Sequence, residues 1–384
     1  MVGGLTTGRL LIAQGAIDAM KIGLTIALRY SAARPQASAP PRLAPCLPSL
    51  LACALPREEL LAAPRCARRR ARPLARHPRW HAFGDKLILD YLTQQRRLLP
   101  GLAATYAFHL AMRRLKDVHA AGRPADAKLI HIMSSGIKAA ATWTRVEVLQ
   151  ECREACGGQG FLASNKIGPT ITDTNVDVTF EGDNTVLMQQ VTRSLLEDAA
   201  AVRAAAASAA APRRFDLAAG GGGAAADPDT LLALLRARED GLLARLAAAL
   251  GAAGGGKARE AAFEDNLDRV VDLGWAYTER MCLQNMISEA GRAARTDAPT
   301  GRALRALAAL FGASRAERAA AALLAAGALD GSGAEALRGA VNGMCRTLGS
   351  GGARAPALLL CEGFQIPDHL LQAPAAFNWR AMGA

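Results

Sequence analysis

Leu10, Ile17 and Leu24 recur at a seven-residue interval, and Ala13, Met20 and Ala27 follow each of them by three positions. Apolar residues so spaced share one face of an α-helix, so Leu5 to Tyr30 is predicted to form a single long amphipathic helix. The pattern stops at Ser31-Ala32-Ala33-Arg34-Pro35, where the proline forbids a clean continuation. Composition points the same way. Only 4% of the residues are aromatic, while Ala, Gly and Leu dominate, which favours helix packing over a β-sandwich. The 384 residues are enough for one large or two ordinary domains with a sizeable core. No run of eighteen apolar residues occurs, so no membrane span is expected.

Helical periodicity resumes at Lys86 and runs to about Ala120, with a kink expected at Pro100-Gly101. A third helix is expected from Pro124 to Cys156, with proline in its first turn and a stop at Gly157-Gly158. Gly157 to Thr185 is the least helical and most polar portion, and a helix restarts near Thr185 with Asp183 or Asn184 as its natural cap. Residues 197–227 are rich in Ala and Gly, including Gly220 to Gly223, and read as a flexible linker. A second helical block follows over 228–384. The expected fold is therefore all-α: two helical-bundle domains, 1–196 and 228–384, joined by that linker.

The formal charge of +12 invites a nucleic-acid reading, but its distribution argues against one. Ala37 to Ala82 holds nine Arg and two Glu, a net +7, which leaves +5 for the other 338 residues. That tract has eight prolines and no hydrophobic period, so it reads as a disordered insertion rather than a basic binding face. The eight cysteines make no disulfide framework. Cys152 and Cys156 sit one helical turn apart, but no second pair or nearby His completes a metal site, and none is expected.

Two polar, glycine-rich connections stand out. Cys156-Gly157-Gly158-Gln159-Gly160 ends a long helix; its glycines could bring backbone N–H groups close to a phosphate, or simply stop the helix. In Thr179-Phe180-Glu181-Gly182-Asp183-Asn184-Thr185, Glu181 follows an aromatic and precedes glycine. It could be a desolvated general base, or an exposed residue in the turn before a capped helix.

Taken together, the runs Glu151 to Phe161 (ECREACGGQGF) and Asp177 to Gln190 (DVTFEGDNTVLMQQ) closely resemble the peroxisomal acyl-CoA oxidases, particularly the plant-type members. Leu28-Arg29-Tyr30-Ser31 with Arg34-Pro35-Gln36 is similar to the family's RYS…R.QFG element. Asp90 to Pro100 is similar to its next helix, and Ile366-Pro367-Asp368 with Pro374 and Ala376 to Trp379 to its closing segment. The family's QFG is split here: removing Ala37 to Ala82 would join Gln36 directly to Phe83-Gly84. These 46 residues read as translated intron or as a tolerated surface insertion. The resemblance covers the carboxy-terminal half of the family, without its amino-terminal helical and central β domains.

The resemblance implies FAD-dependent α,β-dehydrogenation of fatty acyl-CoA to trans-2-enoyl-CoA, with O2 reduced to hydrogen peroxide, in a peroxisomal homodimer. It implies that Glu181 is the catalytic base. It further implies that Arg34, Gln36 and Phe83, the Cys156-Gly157-Gly158-Gln159-Gly160 loop (often reaching over from the neighbouring subunit), and Asn184 and Thr185 contact FAD. The alternatives are an acyl-CoA dehydrogenase-like protein and a non-catalytic helical dimerisation fragment. No nucleic-acid partner is expected, and the last four residues are not a Ser-Lys-Leu-type peroxisomal signal.

Overall fold

The computed structural model describes residues 2–36, 86–210 and 213–377. The expected disordered insertion at 37–82, Phe83 and Asn378-Trp379 lie outside the described residues. Among those described, every regular element is helical, and the sole strand-like pairing is an isolated antiparallel bridge between Pro35 and Leu87.

Helix α1 (Val2–Ala33) is the predicted first helix, slightly longer at both ends than its apolar stripe. Ile17, Met20, Leu24, Ile26, Leu28 and Tyr30 are all inaccessible to solvent. Each large aliphatic side chain so buried contributes about 2 kcal/mol. By length and composition α1 could cross a membrane, yet 61% of its apolar window is buried inside the fold. It is the core helix of the first bundle, packed against α2 (Leu92–Ala120) and α3 (Ala127–Ala155). Pro100 sits inside α2 without dividing it, where a kink was expected.

The polar stretch after α3 is more helical than its composition suggests. It holds α4 (Gly158–Phe161), α5 (Ile167–Thr174) and two single 3-10 turns, and then α6 (Asn184–Leu196) begins. Asp183 caps α6, its Oδ1 accepting from the Thr185 N–H at 2.9 Å and the Val186 N–H at 3.3 Å. Such a cap stabilises a helix by about 1 kcal/mol.

Over its described residues the Ala/Gly-rich connection packs against the second block. Its first part is α7 (Ala199–Ala210), which lies along α8 (Pro228–Ala252) with Ala205 buried. Phe215 and Leu217 are buried as well, and the Phe215 N–H donates to the Ala328 carbonyl at 2.9 Å. An alanine-rich segment forms a helix readily once a neighbour can bury one face. The second block continues through α9 (Lys257–Glu264), α10 (Leu267–Ala294), α11 (Ala298–Arg318), α12 (Ala320–Ala325) and α13 (Gly331–Gly349). It closes with α14 (Pro356–Glu362) and α15 (Asp368–Leu371). Helices α10, α11 and α13 all pack on α2, so the two blocks share one apolar core, in which Phe108 and Phe311 meet edge-to-face at 6.5 Å.

The Gln36 N–H donates to the Lys86 carbonyl and the Ile88 N–H to the Arg34 carbonyl, both at 2.9 Å, so the ends that flank residues 37–85 are clamped together. The tail returns to the first block, where Arg29 pairs with Asp368 at 2.8 Å and the Ala375 N–H donates to Asn165 Oδ1 at 2.7 Å.

Deleting residues 37–82 leaves Phe83-Gly84-Asp85 between the clamped ends, a three-residue connection that suits an antiparallel hairpin. Shortening the loop lowers its closure cost by about 2 kcal/mol. The deletion variant is expected to keep its helical circular dichroism and to melt no lower than the parent. Loss of cooperative melting would show that the segment belongs to the fold.

Candidate functional site

Glu181 adopts a left-handed backbone, φ +57°, and Gly182 follows at φ +109°. For a residue with a Cβ this conformation costs about 1 kcal/mol, and it persists only where the surroundings enforce it. The turn sends neighbouring side chains in different directions: Phe180 is 57% exposed, whereas the Glu181 carboxylate turns in against Gly8 of α1. A methyl group placed on Gly8 would lie 2.3 Å from both Cδ and Oε1 of Glu181. No larger residue fits at position 8 without displacing the acid. Oε2 of Glu181 is buried and has no hydrogen-bond partner among the described residues.

Cations from α1 and α3 hold two successive carbonyls of this turn. From α1, Arg9 Nε donates to the Glu181 carbonyl at 3.2 Å while its Nη1 reaches Ser135 Oγ at 3.2 Å. From α3, the wholly buried Lys138 Nζ donates to the Gly182 carbonyl at 2.8 Å and to Asn184 Oδ1 at 2.9 Å. Asn184 Nδ2 in turn donates to Thr142 Oγ1 at 2.8 Å. Burial draws the Lys138 ammonium down to about 8 from its ordinary 10.5, against the opposing pull of Asp177, Asp183 and Glu181. Burial also raises Asp177, which faces Lys138 and the buried Arg145.

The second glycine-rich connection lies at the other end of α1. Cys156 ends α3, and Gly157 follows at φ +58°. The Arg34 guanidinium, hydrogen-bonded to the Tyr30 hydroxyl, comes within 3.6 Å of where a Gly157 Cβ would stand. Gln94 ties this corner together, its Nε2 donating to Ser31 Oγ at 2.9 Å and to the Ala155 carbonyl at 3.0 Å. Gly157 and Gly158 are exposed, and a Cβ on Gly158 would meet nothing. A cation beside bare, exposed backbone is an arrangement that fits an anionic group such as a phosphate.

The other residues singled out by sequence divide in two. Gln36 is exposed, with its backbone engaged by Lys86 and by the Tyr91 hydroxyl. Gln159 is half-buried and accepts from Asn165 Nδ2, and Thr185 is exposed on the first turn of α6. Three others are committed to the fold. A Cβ on Gly160 would lie 1.9 Å from the Arg153 carbonyl oxygen, so this glycine permits the chain to close on α3. The Cys156 thiol is buried in the core and pushed up to about 12 by that burial. Asn184 is buried, with its amide spent on Lys138 and Thr142.

Sequence reasoning missed Gly8, Arg9 and Lys138. For Lys138 a signal was present: a lone charge in the apolar run Ile137 to Ala141. Such a charge is retained only where it has partners. From Gly8 to Ala33, α1 rises about 37 Å. The Glu181 turn and the Gly157 loop of one chain therefore sit at opposite ends of a long helix.

Residues 66–196 match the acyl-CoA oxidase C-alpha1 domain, and residues 227–376 match a second acyl-CoA oxidase domain. The chain is 32% identical to acyl-coenzyme A oxidase 3, peroxisomal, of Arabidopsis thaliana over 390 aligned positions, 98% of this chain and 50% of that protein. The chain belongs to the acyl-CoA oxidase family. It spans about half the length of the curated relatives it matches most fully. The solved Arabidopsis thaliana acyl-CoA oxidase 1 has the same fold over 98% of this chain and 52% of its own, with a TM-score of 0.76 at 22% identity. Acyl-CoA oxidase-1 of Caenorhabditis elegans, solved with FAD and ATP, aligns at a TM-score of 0.74 and 19% identity over 97% of this chain and 51% of its own.

The lowered Lys138 proton affinity gives a pH dependence with a definite sign. Between about 8 and 10.5 the unfolded chain binds this proton and the folded chain does not, so this group makes the fold more stable as pH rises. The buried thiols Cys156, Cys282, Cys345 and Cys361, each raised to about 12, act in the opposite sense above about pH 9. Comparing the parent with Lys138→Met cancels the thiols. From pH 7.5 to pH 10 the urea stability of the parent relative to Lys138→Met is expected to grow by on the order of 2 kcal/mol, after discounting for solvent screening. A pH-independent difference would contradict a buried lysine of lowered proton affinity.

Proposed function

We propose that this chain is the base-bearing helical half of an acyl-CoA oxidase, catalysing FAD-dependent α,β-dehydrogenation of fatty acyl-CoA to trans-2-enoyl-CoA in peroxisomes. The observation that carries the reading is Glu181, whose buried and unpartnered Oε2 is available to accept a proton. Its relatives are peroxisomal acyl-CoA oxidases by name, and the Caenorhabditis elegans enzyme was solved with FAD.

In this reading Glu181 removes the α-proton of the thioester, which is only weakly acidic and calls for a base shielded from water. Gly8 backs the carboxylate closely enough to exclude solvent from that side, while Arg9 and Lys138 hold the main chain on which it is mounted. When bound, FAD would supply the acceptor for the β-hydride and the redox couple for reducing O2 to hydrogen peroxide. Arg34 and the bare Gly157-Gly158 backbone are the groups that would hold its phosphates, with Gln36, Gln159 and Thr185 as further contacts. Asn184, Gly160 and Cys156 serve by shaping the turns.

The length of α1 makes a homodimer part of the proposal. One dinucleotide cannot span from Glu181 to the Gly157 loop of the same chain, so each site would join the acid of one copy to the loop of another. The non-catalytic reading is favoured by a different observation. Phe161 is 78% exposed, and Leu162, Val176, Phe180 and Val186 are exposed around the two connections. A surface of that kind is one that further protein or a ligand would cover.

Purified with FAD, the chain is expected to show a protein-bound flavin spectrum that acyl-CoA bleaches and oxygen restores with peroxide release. Glu181→Gln should bind flavin as the parent does and lower turnover at least 1000-fold. Arg34→Ala should weaken flavin binding about tenfold. Bleaching without peroxide would indicate a dehydrogenase. A folded, flavin-free chain would favour the non-catalytic reading, and undiminished turnover in Glu181→Gln would remove that residue from the chemistry.

A further inference from the structure

Nothing in a glutamate's own chemistry favours the left-handed backbone that Glu181 adopts, so the turn is held from outside. Asp183 is occupied in capping α6 and Arg9 grips only the Glu181 carbonyl. Arg9 thereby holds the Glu181–Gly182 peptide, and what fixes the next one, Gly182–Asp183, is Lys138. Its Nζ takes the Gly182 carbonyl and the Asn184 side chain, two acceptors that follow the acid in sequence. A full charge buried at the centre of α3, between Ile137 and Ala139, is costly where a Met or Leu would pack, and the return for that cost is the fixed turn.

We propose that Lys138 is a positioning residue for Glu181: its ammonium fixes the Gly182 carbonyl and the Asn184 side chain, and so holds the Glu181 backbone left-handed with its carboxylate turned onto Gly8. Its consequence for catalysis rests on the reading of Glu181 as the base; the tether itself does not. Loss of the two donated bonds lets the turn relax to an ordinary backbone, and the acid swings away from α1. A lysine that merely satisfied the start of α6 would leave the Glu181 conformation unchanged when removed.

The test is a double-mutant cycle on the full chain, read by urea denaturation and needing no flavin. Glu181→Gly relieves a left-handed strain only where that strain is imposed. It is therefore expected to raise the folding equilibrium constant about fivefold in the parent and less than twofold in Lys138→Met. Lys138→Arg, which keeps the donors, should restore the larger gain. Equal gains in the parent and in Lys138→Met overturn the proposal. Should Lys138→Met fail to fold, hydrogen exchange of the parent decides: amides of residues 181–185 are expected to exchange at least 100-fold slower than an unstructured peptide, and unprotected exchange overturns the tether. A chain that passes these tests yet binds no flavin retains the tether and loses the oxidase reading. A flavin-binding chain that fails them does the reverse.

Discussion

The burial of α1 along its apolar window is the constraint on which the first block depends. A helix of 32 residues that is apolar on most of its circumference is unstable in water alone and must be surrounded. Helices α2 and α3 surround it, the tail from α14 onward covers what they leave, and Arg29–Asp368 marks where that tail docks. Because α1 is rigid and long, it also fixes the separation of the two polar connections. Its amino-terminal turns meet Glu181 through Gly8 and Arg9, and its carboxy-terminal end meets the Gly157 loop through Arg34.

Around Glu181 electrostatics and sterics work against each other. Packing favours an apolar residue at position 138, whereas the turn after Glu181 presents two partly or wholly buried acceptors, the Gly182 carbonyl and Asn184 Oδ1. Leaving a buried acceptor unpaired costs about 1–3 kcal/mol. A buried ammonium that serves two of them, near the carboxylates of Asp177 and Asp183, offsets much of its own desolvation. The lowered proton affinity of Lys138 records what desolvation is left over.

The helices were largely legible because 3.6-residue periodicity is a local signal. The Asp183 cap and the stop at Cys156 needed only a few neighbouring residues to recognise, whereas α2 begins at Leu92, six residues after the expected Lys86, because a 3-10 turn at Ile88–Asp90 comes first. The Ala/Gly-rich connection was not, since composition alone cannot reveal that Ala205, Phe215 and Leu217 find a partner surface in the second block. The site was half legible. Glu181, Arg34 and the Gly157 loop stood out as motifs, while Gly8 and Lys138 act across distances in sequence that no local pattern encodes. Gly160 and Asn184 carry structural duties that their motifs do not show: one is required by the Arg153 carbonyl and the other is held by Lys138 and Thr142.

Among the described residues, the second block supports this site without contributing an acid or a cation to it. Helix α6, whose first turn follows Glu181 directly, lies between α3 and α10, and Thr192 Oγ1 donates to the Val270 carbonyl at 2.7 Å. Trp143 of α3 stacks on Trp275 of α10 at 5.5 Å. Helix α10 is itself held to α8 by the Arg280–Glu239 and Arg238–Glu279 pairs, both at 2.7 Å and mostly buried. Removing one partner of such a pair strands a charge and costs about 3–5 kcal/mol, so α10 is not free to shift. Through α10 the fixed position of α6 passes to Asp183 and Asn184, and from there to the turn that carries Glu181. The second block thus bears on the candidate site by keeping the helix after Glu181 in place.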